Sequence, residues 1–141
     1  MTPIRENREI ELLLPESWAR PSGYSHGVLA KGRYVFIAGQ VGWNPTTNLF
    51  ETHDFIEQIR QSLRNIVAVL RKAGAEPRHI VRLTWFITHP DDYKALQSAI
   101  GDAYSEVIGR HYPAMSVVVV DGLLEVDAKV EIEATAIIPD S

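Results

Sequence analysis

The side chain best placed for chemistry is Glu131, in the stretch Lys129-Val130-Glu131-Ile132-Glu133. Apolar and acidic residues alternate there, as on a half-buried strand. A carboxylate on so rigid a support can position water or act as a general base once burial raises its pKa toward neutrality. The bland reading is a solvated acid beside Lys129. Upstream runs His111-Tyr112-Pro113-Ala114-Met115-Ser116-Val117. His111 near this Pro-Ala turn, and His26 beside Tyr24, are candidate cations or proton shuttles. Tyr24 is the aromatic expected at a cleft, whereas Trp85, inside an apolar run, is expected in the core. Ser25 and Ser116 lack the elbow motif and oriented histidine of an acyl-transfer nucleophile. The remaining histidines, His53, His79 and His89, fall at element ends and are expected to be exposed. No histidine pair has the i, i+4 spacing of a zinc motif, so no metal site is expected, and no cofactor is implied.

Positioning such residues takes a sheet. Glu9 to Leu14 and Tyr24 to Ala30 are short strand candidates, with Lys31-Gly32 turning the second into a hairpin with Arg33 to Gly39. Asp54 opens a helix, with Glu57 as its capping-box partner. Phe55, Ile59, Leu63, Ile66, Leu70 and Ala73 make one apolar stripe, and Gly74 stands where a C-terminal cap belongs. Ile80 to Thr88 is a further strand. His89-Pro90 starts a second helix with the stripe Tyr93, Leu96, Ile100, Tyr104 and Val107, ended by Gly109. The valine run 117–120 suggests a strand buried on both faces. In the last strand Val130, Ile132 and Ala134 point one way, and Glu131, Glu133 and Thr135 the other. The order predicts an α+β fold: a mixed sheet with two helices on one face.

The totals restrict the function. A chain of 141 residues with 45% hydrophobic and 23% charged content makes a single domain over 1–141, with 1–8 expected to be flexible. The chain has no cysteine, which removes disulfides, thiolate metal sites and a cysteine nucleophile. A formal charge of −4 gives phosphate backbones no global attraction, so no nucleic-acid partner is expected. No apolar run approaches the roughly 20 residues of a membrane span. No membrane partner is expected, and a cytoplasmic location is the expectation.

Several segments, in one order and without large gaps, carry a resemblance. They are Gly23-Tyr24-Ser25-His26-Gly27, Ile37-Ala38-Gly39-Gln40-Val41 and Asn44-Pro45. Arg60-Gln61-Ser62-Leu63-Arg64-Asn65, Ala73-Gly74 and Thr84-Trp85-Phe86-Ile87 follow. Tyr112-Pro113-Ala114 and Val130-Glu131-Ile132-Glu133-Ala134 complete the set. Together they resemble the Rid family, also called YjgF/YER057c/UK114. The resemblance implies a chorismate-mutase-like fold and a homotrimer whose sheets form a barrel, with small-molecule ligands in the clefts between subunits. It also implies hydrolysis of reactive enamines and imines to a 2-oxo acid and ammonia.

Carried over residue by residue, Glu131 matches the glutamate that positions water, Tyr24 the cleft aromatic and Gln40 the glutamine after Gly39. Where the family has an arginine that grips the substrate carboxylate, this chain has Met115. Ala38 stands for a small hydroxyl residue, and Val117 for a frequent cysteine. Losing one partner of a buried charge pair typically costs about 2–5 kcal/mol, and a thioether is only a weak acceptor. The resemblance therefore implies an enamine or imine deaminase with a non-archetypal substrate. The alternative is a non-catalytic ligand-binding or regulatory trimer. A ribonuclease, a label also attached to the family, fits poorly with the net charge.

Overall fold

The computed structural model describes residues 9–140; the expectation for residues 1–8 lies outside them. Among the described residues six strands and three α-helices follow one another. They are β1 (Ile10–Leu13), β2 (Gly27–Ala30), β3 (Arg33–Val41), α1 (Phe55–Lys72), β4 (Ile80–Ile87), α2 (Pro90–Ala95), α3 (Gln97–Val107), β5 (Ala114–Val119) and β6 (Val130–Ile138). The main sheet has the order β3-β6-β4-β5. β4 and β5 run parallel, while β6 is antiparallel to both its neighbours. The fold is therefore α+β with a mixed sheet.

Helix α1 behaves as its stripe requires. Ile59, Leu63, Ile66 and Leu70 are fully buried against Ile80, Leu83, Val130 and Ile132 from the sheet. Each such side chain contributes about 1.5–3 kcal/mol relative to exposure. The Asp54 carboxylate accepts from the Glu57 backbone N–H at 2.9 Å, so half of the expected capping box is made. The other half is not, because Glu57 pairs with Arg60 instead. At the far end Gly74 takes φ +79°. Gly74 N–H donates to the Arg71 carbonyl at 3.0 Å and Ala75 N–H to that of Leu70 at 2.9 Å, the paired bonds of a Schellman cap.

Three expectations are corrected. First, β2 pairs with β1 and not with β3. Gly32 lies so close to the Ile138 backbone that a Cβ would collide with it. The chain thus enters β3 already beside β6, a nine-residue strand that offers a fuller hydrogen-bond ladder than four-residue β2. Second, the second helix is two helices broken at Leu96, which is 38% exposed. The Gln97 side-chain amide donates to the Tyr93 carbonyl at 2.7 Å, the acceptor that the backbone N–H of Gln97 would use in a continuous helix. Ile100, Ala103 and Tyr104 carry the burial. Third, the valine strand is not buried on both faces. It is the edge strand β5, with Val118 and Val119 exposed in the single chain.

Polar side chains on α1 join the helix to the strand ends. Asn65 Nδ2 donates to the carbonyls of Val41 (3.2 Å) and Trp43 (3.1 Å). Gln58, fully buried, donates to the Asp127 carbonyl at 3.0 Å and accepts from Lys129 N–H at 2.8 Å. The end of β3 and the start of β6 are thereby fixed to one helix. These are the two segments that carry Gln40 and Glu131.

Candidate functional site

The register divides the predicted site residues between the two faces of the sheet. Directly opposed residues on neighbouring strands share a face. Met115 pairs with Leu83 and Val117 with Trp85, and Leu83 and Trp85 are buried on the helix side. Glu131 pairs with Phe86, which pairs in turn with Val118. Glu131 therefore projects from the face opposite to Met115 and Val117. Within one chain these residues do not meet.

On the helix side, β5, α3 and the segment 22–24 enclose a cavity of about 520 Å³. Met115, Val117, Trp85, Tyr104, Tyr112 and Tyr24 line it. Tyr24 is held at its mouth by the next residue: Ser25 N–H donates to the Pro113 carbonyl at 3.0 Å, and Ser25 Oγ to that of Tyr112 at 2.5 Å. The Tyr104 and Tyr112 rings stack with centroids 5.7 Å apart, and Trp85 lies 6.5 Å from Tyr104. Tyr104 Oη donates to the His111 carbonyl at 2.5 Å. Burial, with a smaller contribution from Tyr112, pushes the Tyr104 phenol well above its ordinary value, so it remains a protonated donor.

On the open side, Glu131 is half-buried and lies over the bare backbone of Gly39, where a Cβ would overlap its carboxylate. Gly39 falls inside the register shift of β3 between Ile37 and Gln40. Bulges of this kind redirect side chains beside functional sites. Gln40 folds back locally, its Nε2 donating to the Ala38 carbonyl at 3.1 Å. Ala38 lines a second, shallower hollow of about 390 Å³ with Arg82, Thr84 and Glu133.

The two candidate histidines lie elsewhere. His111 has its Nε2 2.6 Å from the Ile80 carbonyl and borders a separate recess with His79. It points away from Met115, because its ring satisfies a backbone acceptor at the start of β4. His26 stands edge-on between Trp18 (4.9 Å) and Tyr24 (5.3 Å), beside the cavity mouth. His53 and His89 are exposed as expected, but His79 is buried. Its Nδ1 accepts from the Glu76 N–H at 2.9 Å.

Sequence reasoning missed the part that Tyr104, Tyr112 and Asp102 play in lining the cavity. Tyr104 was legible only as a member of a helical stripe. The pairing of Arg82 and Glu133 in one hollow was recoverable from strand alternation, since each neighbours a core residue, Leu83 and Ile132.

The family model for endoribonuclease L-PSP matches residues 17–138. The chain belongs to this family. Among solved structures, a protein of the conserved Rid family from Yersinia pestis superposes with a TM-score of 0.78 at 36% identity, covering 92% of this chain and 99% of that one. The Rid resemblance is thus established over nearly the whole chain. A RutC family protein of Pyrococcus horikoshii is 33% identical over 127 residues, 89% of this chain and 96% of its own. A goat (Capra hircus) protein named 2-iminobutanoate/2-iminopropanoate deaminase is 31% identical over 114 residues, 81% of this chain and 79% of its own. At the level of the family, imine deamination is therefore a documented activity. No helix among the described residues is long and apolar enough to cross a membrane.

Proposed function

We infer that this protein hydrolyses small imines or enamines to a carbonyl compound and ammonia, in sites built jointly by the copies of a homotrimer. The observation that carries this reading is the division of the site. Glu131 and the Met115 cavity belong to one family constellation, yet they occupy opposite faces of the same sheet. A second copy laid against the open face brings the carboxylate of one protomer toward the cavity of the next. The open face invites such a cover: Phe36 is 75% and Tyr34 62% exposed, and their rings stack at 5.9 Å. Exposed apolar patches of this kind commonly mark association surfaces.

In this reading water attacks the C=N carbon and Glu131 takes a proton from it. The nitrogen, protonated in turn, departs as ammonia while the carbonyl forms. Gly39 leaves room for the carboxylate, and Asn65 and Gln58 hold the strands beneath it. Met115, where the family resemblance implies an arginine, removes the grip on a substrate carboxylate. The substrate therefore differs from the 2-imino acids of the named relatives.

The test is ammonia release above the spontaneous rate from a panel of imines generated in place. Glu131→Ala should lower it by about 10²-fold or more while sedimentation still shows three copies. Turnover unchanged by Glu131→Ala would end the reading. A second reading, a ligand-binding trimer without catalysis, is favoured by one observation: the aromatic cavity is complete without Glu131. No ammonia from any imine, with a metabolite retained through purification, would select it.

A further inference from the structure

The cavity beside β5 is aromatic and carries no positive charge. Its walls include Trp85, Tyr104, Tyr112 and Tyr24, together with Met115. Among the side chains lining it, Asp102 on α3 is the only charged one. Neither nearby histidine lines it: His111 is engaged with the Ile80 carbonyl, and His26 stands between Trp18 and Tyr24. An anion entering here finds neutral donors only, such as the hydroxyls of Ser98 and Ser105. It also meets the Asp102 carboxylate. A cation meets the opposite balance, attracted by the ring quadrupoles and by Asp102.

We propose that this cavity selects a carboxylate-free, ring-bearing cation, and that the substrate is the protonated imine of a primary arylalkylamine. The chemical step rests on the deaminase reading; the binding preference rests on the cavity alone. In the step, the water oxygen bonds to the iminium carbon and the C–N bond breaks. Both water protons finish on nitrogen, giving an aldehyde and ammonium. Oxidation of a primary amine is the class of reaction that supplies such an imine. The cavity volume of about 520 Å³ lies within the range that holds a small ring compound.

The experiment is calorimetric titration of the full-length protein with 2-phenylethylamine and with 3-phenylpropanoate, which share a ring and differ in charge. The amine should bind about tenfold or more tightly than the carboxylate. Asp102→Asn, at an exposed helix position, should shrink that ratio severalfold. Met115→Arg should reverse the order. Equal or tighter binding of 3-phenylpropanoate by the unmodified protein overturns the proposal, as does a ratio that Asp102→Asn leaves unchanged. If Met115→Arg does not fold, those two measurements still decide. Glu131-dependent ammonia release from carboxylated imines, together with a preference for the carboxylate probe, would overturn this proposal and leave the deaminase reading standing. A preserved amine preference with no ammonia from any imine supports the cavity assignment and removes the deaminase reading.

Discussion

The two faces of the central sheet are cut from the same strands and meet different surroundings. On one face Leu83, Trp85, Val130 and Ile132 are covered by α1 and α3 and are almost entirely buried. On the other, Phe36 and Tyr34 lie open and stack on one another, with Arg82, Glu133 and Glu131 close by on the same surface. The covered face accounts for the fold of a single chain. The open face, apolar and charged together, has the composition of a surface that ends against another molecule. A strand side chain and its sequence neighbour thus meet different surroundings: Ile132 is buried in the core, and Glu131 faces the open side.

Setting one face against the other gives the largest expected effect. Phe36→Glu places a charge in the middle of the open face. Sedimentation should then show single copies with the helical circular dichroism retained, and ammonia release should vanish. Leu63→Ala, on the covered face, should instead cost roughly 3–5 kcal/mol in urea unfolding and leave assembly to follow stability. A Phe36→Glu protein that remains trimeric would remove the open face from the proposed interface.

A smaller effect is expected where the two faces are joined, at the β3 bulge. Gly39→Ala would push a methyl into the Glu131 carboxylate. Ammonia release should fall by about tenfold or more, with a decrease of a few degrees in melting temperature. Introduced on top of Glu131→Ala, the same change should cost much less stability, because the colliding atoms are gone. Equal destabilisation in both backgrounds would show that the glycine answers to the backbone and not to the acid.

The smallest effect tests the covered layer at its rim. Burial, and then the positive charge of Arg78, hold the His79 pKa below the ordinary histidine value. A histidine depressed in this way contributes stability above its unfolded pKa and loses it as pH falls. The melting temperature should therefore decline as pH drops below about 6.5. His79→Gln should flatten that part of the curve without altering ammonia release. An unchanged slope would assign the acid sensitivity to other groups.

How much was legible depends on how local the cause is. The α1 stripe, the Asp54 cap, the Gly74 stop and the alternation around Glu131 all follow from residues within a few positions of one another. The structure shows each of them, except that Ala73, the last residue of the predicted stripe, is exposed and stands at the C-cap. The half-made capping box failed because Arg60 competes for Glu57. The broken second helix failed because one glutamine side chain takes a carbonyl that periodicity assigns to the backbone. His79 was misplaced because position at an element end does not report burial.

Local pattern alone therefore determined that this chain makes strands with one acidic and one apolar side, capped helices and a two-layer α+β domain, since propensity, period and capping act over a turn or two. It also determined the family, through many short matches in one order. Only the tertiary structure decided that the valine strand is an edge, that β2 turns to β1, and that Glu131 and Met115 stand on opposite faces. Strand order and register are set by contacts between residues distant in sequence, and a shift of one residue moves a side chain to the other side of the sheet.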